Sequence, residues 1–306
     1  MVNSQPIRGF VAAPFTAMHP DGQVNLDAVP AYVEHLVASG VTGVFVNGTT
    51  GEGYSLTREE RMATAGAWVR AAAGKLKVIV HVGAESITDA LALAGHAGQV
   101  GADAVGSMAP VFFRPDLDSL VAYCAQVAAA ASETPFYYYH IPSMTGLFIP
   151  VVDFLSRAAD LIPTLRGVKY THYDLMDFKR CASLADGRFD LLFGRDEILL
   201  SALVLGAQGM VGSTYNYAMP LFAALLAAWQ AGHLEEAAAI QERVMRMVGI
   251  LERNGGGLVA GKALMCGVGL ELGSPRLPNR VLDSTAASKA VEEARALGVY
   301  RPDGRG

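Results

Sequence analysis

The sequence predicts an α/β fold, a TIM-type (β/α)8 barrel followed by an appendix of helices. Short β-branched apolar runs alternate along the chain with longer segments rich in Ala and Leu. Regular alternation of this kind implies parallel strands, and eight repeats favour a closed barrel over an open doubly wound sheet. The chain has 306 residues, of which 52% are hydrophobic, and this suits one large domain because α/β barrels reach ~250 residues as single units.

The eight predicted strands are short runs of apolar, mostly β-branched or aromatic residues. In chain order they are FVAAPF, VTGVFV, KVIVHV, ADAVGSM, PFYYYHI, LRGVKY, FDLLFG and GMVGST. A dinucleotide-binding fold would need a GxGxxG sequence after an early strand, and the sequence contains none.

Segments of helical length and composition separate the strands, and further helices follow the last one. Thr57 and Glu60 have the spacing of a capping box at the start of the second helix. The predicted helices are 25–39, 57–73, 86–100, 117–132, 175–185, 220–230, 234–253, 259–270 and 284–297. We therefore predict a barrel over residues 1–232 and a helical extension over 233–306 that packs on it as one structural unit.

The charge pattern points to a small-molecule partner. The net charge is -5, and the 24 basic residues are scattered among 29 acidic ones without a basic stripe. This distribution argues against a nucleic-acid partner and against an anionic membrane surface.

The sequence also predicts a cytoplasmic protein without a membrane span. Residues 1–10 lack the basic and apolar regions of a secretory signal, and polar residues and Pro220 divide the uncharged stretch 198–230 into pieces too short to cross a bilayer. The three cysteines are far apart, with no CxxC, so we expect reduced thiols whose role is core packing. They are Cys124, Cys181 and Cys266.

Polar residues suited to catalysis follow the predicted strands. In a TIM barrel the active site lies where the strands end and the loops lead into the helices. The sequences found there are NGTTGE at 47–52, YHIP at 139–142, KYT at 169–171, GRDE at 194–197 and GST at 212–214.

Lys169 is the most distinctive of these residues, because only six lysines occur and it alone ends a predicted strand. If Val168 and Tyr170 point outward toward the helices, strand alternation turns Lys169 inward. An ammonium group is poorly solvated there, so its pKa should fall and expose the neutral amine that attacks a ketone to form an imine. The alternative is an ion-paired or snorkelling lysine, but the surrounding polar loops favour the imine-forming role.

Five other residues in these loops allow two interpretations each. Thr49 and Thr50 can bind a carboxylate through hydroxyls and backbone amides, or form an ordinary glycine turn. Tyr139 can transfer a proton, or be a core aromatic residue. Asp196 and Glu197 can accept hydrogen bonds from sugar hydroxyls, or cap the next helix.

Other motifs do not point to a function. The seven histidines show no HExxH sequence and no close pairing, so we expect no metal site. Residues 256–263 are similar to a phosphate-binding loop, but Ala263 stands where a hydroxyl should follow Lys262, and no strand precedes the segment. Arg195 is expected to be exposed.

At these residues the chain resembles the N-acetylneuraminate lyase and dihydrodipicolinate synthase superfamily of pyruvate-dependent class I aldolases, over essentially its whole length. The resemblance rests on GTTGE, YHIP, GVKYT, GRDE and GSTYN in this order. It implies a homotetrameric barrel without a metal or organic cofactor, in which Lys169 forms the imine and Tyr139 transfers a proton. Thr49 and Thr50 would bind the carboxylate of pyruvate. The polyol would be bound by Thr171, Gly194, Asp196, Glu197 and Ser213.

Within the superfamily the chain looks most like the lyase branch. This resemblance rests on the sequences YYYHIPSMTG, GVKYTHYDLMDF and LFGRDEILLSALVLGAQGMVGSTYN. Synthases typically have an arginine where this chain has Met144, and a tyrosine donated across a dimer where it has Phe112. Methionine cannot bind a carboxylate and phenylalanine cannot relay a proton.

The resemblance therefore implies reversible cleavage of N-acetylneuraminate to pyruvate and N-acetylmannosamine. The alternatives are an aldolase for another 2-keto-3-deoxy sugar acid or for 4-hydroxy-2-oxoglutarate, a dihydrodipicolinate synthase, and a non-catalytic regulator that binds keto acids.

Overall fold

Eight parallel strands form a closed barrel in the computed structural model, which describes residues 5–301 except for the side chain of residue 185. The strands pair in chain order, and the first closes the barrel against the eighth, with Val11 opposite Val211. The predicted fold class and all eight predicted strands are confirmed. The two predicted domain ranges, 1–232 and 233–306, begin or end in residues that lie outside the described part of the chain, and the boundary between them stays a prediction.

Seven of the eight strands are shorter than the apolar runs that predict them, and β6 coincides with its run. FVAAPF, for example, is a strand only as far as Ala12, and Pro14 cannot donate a ladder hydrogen bond. The bounds are β1 Gly9–Ala12, β2 Gly43–Val46, β3 Lys77–His81, β4 Ala104–Met108, β5 Phe136–His140, β6 Leu165–Tyr170, β7 Asp190–Phe193 and β8 Gly209–Gly212.

Helices connect the strands and continue beyond β8. They are α1 Val29–Ala38, α2 Arg58–Ala72, α3 Ile87–Gln99, α4 Leu117–Ala129, α5 Pro142–Thr145, α6 Val151–Ala158, α7 Leu175–Ser183, α8 Leu199–Val204, α9 Met219–Gln230, α10 Leu234–Arg253, α11 Gly256–Leu264 and α12 Ser284–Ala296. The sequence did not predict α5, α6 and α8, which are too short for a clear helical period. The predicted helix 259–270 is partly wrong, because α11 ends at Leu264 and a 3-10 turn continues to Val268.

The capping box at the start of α2 is confirmed. The hydroxyl of Thr57 accepts a hydrogen bond from the amide of Glu60 at 3.1 Å, and the Glu60 carboxylate accepts one from the amide of Thr57 at 2.8 Å. These bonds satisfy two amides that would otherwise lack a partner at the helix start. They also fix the point at which the chain leaves the loop after β2.

Strand β6 alternates as predicted. Val168 and Tyr170 face the layer of helices, where the ring of Tyr170 lies 5.5 Å from that of Phe178 in α7. Lys169 faces the barrel interior, with Nζ 3.8 Å from the centroid of the Phe45 ring. The residues on the two faces of one strand therefore belong to different layers of the core.

The helices after β8 pack on the barrel and support its loops. Gln241 of α10 donates to the carbonyl of Asp196 at 3.2 Å and accepts from the amide of Leu200 at 2.8 Å. Helix α10 therefore holds the loop that follows β7. Within residues 5–301, no helix is both long enough and apolar enough to cross a membrane.

The cysteines only partly follow the prediction. Cys124 and Cys181 are buried in the core, as expected, whereas Cys266 is exposed. The packing role predicted for Cys266 is therefore wrong, because the 3-10 turn that follows α11 carries it to the surface.

Candidate active site

A cavity of about 310 Å³ opens at the carboxyl ends of the strands. This is the end of the barrel at which the sequence places its polar loops. All nine predicted site residues line this cavity, namely Thr49, Thr50, Tyr139, Lys169, Thr171, Gly194, Asp196, Glu197 and Ser213. The structure thus brings together residues from the ends of five strands, or from the loops that follow them, that are far apart in the sequence.

Lys169 lies at the bottom of the cavity, and only 4% of it is exposed. Its Nζ is 3.8 Å from the centroid of the Phe45 ring and 4.2 Å from that of Tyr139. Burial disfavours the charged form and lowers the pKa of Lys169 to about 7, while the negative charge of Asp196 acts in the opposite direction. Since the amine is enclosed rather than extended toward solvent, the snorkelling alternative is wrong.

The phenol of Tyr139 lies between Lys169 and the loop after β2. Its hydroxyl is 3.3 Å from Oγ1 of Thr49, and its ring packs edge-on against Phe45 at 5.2 Å. Burial raises the pKa of Tyr139, although the hydroxyl of Thr49 favours the ionised form. The free protein therefore holds a neutral phenol beside the lysine.

The turn that carries Thr49 and Thr50 is held in a strained, closely packed conformation. Asn47 has a φ of 60°, and its side-chain amide donates to the carbonyl of Arg61 at 2.8 Å. A side chain at Gly53 would overlap the carbonyl of Asn47, so glycine is required there. The carbonyl of Gly51 accepts a hydrogen bond from the buried hydroxyl of Thr16 at 2.6 Å. The turn is thus fixed from several sides, unlike an ordinary surface turn.

Asp196 is a buried carboxylate in the 3-10 turn after β7, and it lines the same cavity. Its Oδ2 accepts a hydrogen bond from the hydroxyl of Thr214 at 2.5 Å, and its Oδ1 has no partner in the described part of the chain. Burial raises the pKa of Asp196 to about 6, Thr214 opposes the rise, and the charge of Glu197 adds to it. The hydroxyl of Thr171 is likewise buried without a hydrogen-bond partner among residues 5–301.

Neither acidic residue caps a helix, so the capping alternative for Asp196 and Glu197 is wrong. The 3-10 turn that contains them begins after Arg195, and α8 begins after Ile198, in both cases without a side-chain cap. Both carboxylates instead line the cavity.

Tyr173 is a cavity residue that the sequence analysis missed. Its hydroxyl donates to Oε1 of Glu197 at 2.6 Å, and the guanidinium of Arg195 lies 4.3 Å from its ring centroid. The side chain of Arg195 is only 19% exposed and donates to Oγ of Ser143 at 3.2 Å, so the expectation that Arg195 faces solvent is wrong. The position of Tyr173 two residues after Thr171, in a loop at the carboxyl end of β6, is the signal that could have identified it.

Met144 and Phe112 do not line the cavity of the single chain, and 56% and 79% of these two residues are exposed. Phe112 packs edge-on against Phe113, with ring centroids 5.0 Å apart. No group of three His, Cys, Asp or Glu side chains in the described ranges has the arrangement of a metal site.

The closed barrel and the enclosed lysine at the carboxyl ends of its strands define the class: a (β/α)8-barrel enzyme whose central group is an amine of depressed pKa. A family model described as the dihydrodipicolinate synthetase family matches residues 6–296. The chain belongs to this family, and the predicted resemblance is confirmed.

Individual relatives are similar over nearly the whole chain. The N-acetylneuraminate lyase of Mus musculus is 43% identical over 296 residues, which cover 95% of this chain and 92% of that protein. The N-acetylneuraminate lyase of Xenopus tropicalis is 45% identical over 276 residues, covering 89% and 90%. The solved structure of Proteus mirabilis N-acetylneuraminate lyase superposes with a TM-score of 0.94 at 40% identity, covering 96% of this chain and 100% of that one.

Proposed function

We propose that the protein cleaves N-acetylneuraminate reversibly to pyruvate and N-acetylmannosamine through an imine on Lys169. The protein is a carbon–carbon lyase of the pyruvate-dependent aldolase type, like its relatives in Mus musculus and Xenopus tropicalis. The observation that carries the mechanism is the burial of Lys169 against two aromatic rings, which lowers its pKa to about 7. Roughly half of the amine is then neutral at pH 7 and able to attack a ketone.

The carboxylate of the keto acid would bind at the turn after β2. Thr49 and Thr50 line the cavity that contains Lys169, and Oγ1 of Thr49 lies 3.3 Å from the hydroxyl of Tyr139. Hydroxyls and exposed amides in a turn form a concave site for an anion. A carboxylate held there is attached directly to C2, so the turn would orient the carbonyl carbon toward Nζ.

The proposed reaction begins when the neutral Nζ of Lys169 adds to C2 of the open-chain sugar acid. The phenol of Tyr139 gives its proton to the departing C2 hydroxyl, which leaves as water, so that a protonated imine and a phenolate remain. The C4 hydroxyl then loses its proton to the phenolate of Tyr139, and the C3–C4 bond breaks. The electron pair of that bond moves to C3 and the imine, which becomes the enamine of pyruvate, while C4 leaves as the aldehyde of N-acetylmannosamine. Protonation at C3 and hydrolysis release pyruvate and restore the amine.

Imine formation itself would prepare Tyr139 for this step. Burial raises the pKa of the phenol in the free protein, so it is neutral at first. The imine places a positive charge where Nζ lies, 4.2 Å from the centre of the Tyr139 ring. A positive charge at this distance stabilises the phenolate and lowers the pKa of Tyr139 after the substrate is attached.

The residues that follow β6, β7 and β8 would bind the polyol. Oδ1 of Asp196 and Oγ1 of Thr171 are buried and lack a well-formed hydrogen bond in the described part of the chain, with the hydroxyls of Tyr215 and Tyr139 as their nearest polar neighbours. Buried polar atoms are usually satisfied. Substrate hydroxyls would complete them. Glu197, Ser213 and the backbone at Gly194 line the same wall.

Variants of the acidic residues Asp196 and Glu197 distinguish this function from the alternative functions. We expect Asp196→Ala and Glu197→Ala to lower turnover of N-acetylneuraminate while pyruvate still binds Lys169. Unchanged turnover would exclude the polyol-binding role and favour a shorter substrate, such as 4-hydroxy-2-oxoglutarate. A synthase activity is disfavoured because Met144 offers no charge for a second carboxylate.

The deciding experiment is to incubate the purified protein with N-acetylneuraminate and measure pyruvate release, with Lys169→Ala in parallel. Release that disappears in the variant supports both the reaction and the nucleophile. If no pyruvate is released but borohydride traps a pyruvate adduct, the assignment as a class I aldolase stands and N-acetylneuraminate is excluded as the substrate. If neither occurs in the folded protein, a keto-acid-binding regulator becomes the better interpretation.

We also propose a homotetramer in the cytoplasm. The exposed, mutually packed rings of Phe112 and Phe113 support an interface between copies, because an exposed aromatic pair is costly in water. Light scattering of the wild type and of Phe113→Asp tests the assembly. A monomeric wild type would exclude it.

A further inference from the structure

A fully buried ion pair joins the helical extension to the loop after β2. Nζ of Lys262 in α11 lies 3.0 Å from Oε1 of Glu52, and the two side chains are 1% and 0% exposed. Lys262 also donates to the carbonyl of Ser274 at 3.2 Å. This is the lysine of the segment that is similar to a phosphate-binding loop, and here it lies in a helix rather than at a helix start.

Glu52 directly follows the turn that carries Thr49 and Thr50. It has a left-handed φ of 56°, a conformation that a non-glycine residue adopts only when its surroundings enforce it. Its amide donates back to the carbonyl of Thr49 at 3.1 Å. The position of the turn backbone therefore depends on the position of Glu52.

The second oxygen of Glu52 is held as well. Oε2 accepts a hydrogen bond from the amide of Arg276 at 2.7 Å. The guanidinium of Arg276 in turn donates to the Glu60 carboxylate at the start of α2 and to the carbonyl of Ser55 at 3.1 Å. The carboxylate of Glu52 is thus a junction between the turn, helix α11 and the segment that connects α11 to α12.

We propose that Glu52 and Lys262 are positioning residues for the carboxylate-binding turn, so that the helical extension sets the affinity for the keto acid. This inference rests on the proposed role of Thr49 and Thr50. A buried ion pair contributes little net stability compared with apolar residues of the same volume, whereas it fixes one geometry. Removing Lys262 would leave the charge of Glu52 buried without its ion-pair partner, and the turn would move to relieve it.

The expected signature is a selective loss of pyruvate binding. A displacement of about 1 Å can cost on the order of 100-fold in a positioned reaction. We expect Lys262→Met and Glu52→Gln to raise the KM for pyruvate in the aldol direction by roughly 10- to 100-fold. The KM for N-acetylmannosamine should change by less than about 3-fold, because the hydrogen bonds of Glu52 and Lys262 reach the turn of Thr49 and none of the residues proposed to bind the polyol.

The experiment compares these variants with Lys289→Met, which removes an exposed lysine of α12. The double variant Glu52→Gln/Lys262→Met removes both charges and remains informative if Lys262→Met does not fold. If the double variant folds but still binds pyruvate more weakly than the wild type, this result supports the positioning role. Variants that lower the melting temperature but leave the KM for pyruvate unchanged would overturn it, since the pair would then act on stability alone.

The proposed function is tested separately in the same assay. If the wild type does not form a pyruvate adduct that borohydride traps, the imine mechanism fails before the variants are compared. If the wild type forms the adduct, the concentration dependence of trapping reports pyruvate binding without any sugar. The failure of one proposal can therefore be distinguished from the failure of the other.

Discussion

The hydroxyl of Tyr173 donates to Oε1 of Glu197 across a distance of 2.6 Å, so two loops at the mouth of the cavity are joined. Arg195 stacks on the same ring and lies 3.6 Å from the same carboxylate oxygen. With Oε1 engaged on both sides, Oε2 is the oxygen of Glu197 left to accept a hydrogen bond from a substrate hydroxyl. The orientation of Glu197 therefore depends on a residue outside the motifs that predict the site.

The first prediction concerns this hydrogen bond. Tyr173→Phe keeps the ring under Arg195 but removes the donor, so Glu197 loses one restraint. A hydrogen bond to a charged group contributes about 1.5–3 kcal/mol, and we expect the KM for N-acetylneuraminate to rise about 10-fold or more with a smaller change in kcat. Steady-state kinetics measure both quantities.

The matched control for Tyr173→Phe is Tyr123→Phe. Tyr123 lies outside the cavity, and its hydroxyl donates to the carbonyl of Ala84 at 2.9 Å. If both variants raise the KM equally, the effect of Tyr173→Phe is general loosening of the fold rather than misorientation of Glu197.

The second prediction is the pH dependence of imine formation. Because burial lowers the pKa of Lys169 to about 7, the rate of borohydride trapping with pyruvate should rise between pH 6 and 8 and then level off. An ordinary lysine, with a pKa of about 10.4, would give a rate that still increases above pH 9. A profile of that second kind contradicts the depressed pKa.

The third prediction follows from the same pKa and concerns stability. The folded protein releases the proton of Lys169 near pH 7, whereas the unfolded chain keeps it until about pH 10.5. Between these values the unfolded state binds more protons, so Lys169 destabilises the fold most at low pH and less as the pH rises. Lys169→Met should therefore increase the free energy of unfolding by about 2–4 kcal/mol at pH 7, and by less at pH 9.5.

Denaturant unfolding at a fixed protein concentration measures this difference. Lys179→Met in α7 is the control, since Lys179 is exposed and its removal should change stability equally little at both pH values. A Lys169→Met variant that is less stable than the wild type at pH 7 would mean that the lysine makes a favourable buried interaction.

The fold and the central residues could be predicted because they follow from local rules. Period-two alternation sends Val168 and Lys169 to opposite faces of β6, and parallel strands bring their carboxyl ends to one edge of the barrel. The bond from Tyr173 to Glu197 and the ion pair of Lys262 could not be predicted. They join residues 24 and 210 positions apart through loop conformations that no local pattern encodes.

The fourth prediction concerns the close contact between Gly212, at the end of β8, and the carboxylate of Asp196. A methyl group at Gly212 would overlap the carboxylate of Asp196, which lies against the strand backbone and accepts a hydrogen bond from Thr214. Gly212→Ala should displace this carboxylate and lower kcat/KM for N-acetylneuraminate by on the order of 100-fold. Trapping of pyruvate should persist, because the atoms nearest to the added methyl group belong to Asp196 and not to Thr49 or Thr50.

Gly95→Ala is the control for Gly212→Ala. Gly95 is within α3, where an added methyl group would meet the carbonyl oxygen of Ala130 at an ordinary 3.6 Å, and alanine favours the helix. We expect this control to keep full activity and to be slightly more stable than the wild type. If Gly212→Ala also keeps full kcat/KM, the carboxylate of Asp196 can move without cost, and its proposed role in holding the polyol would have to be abandoned.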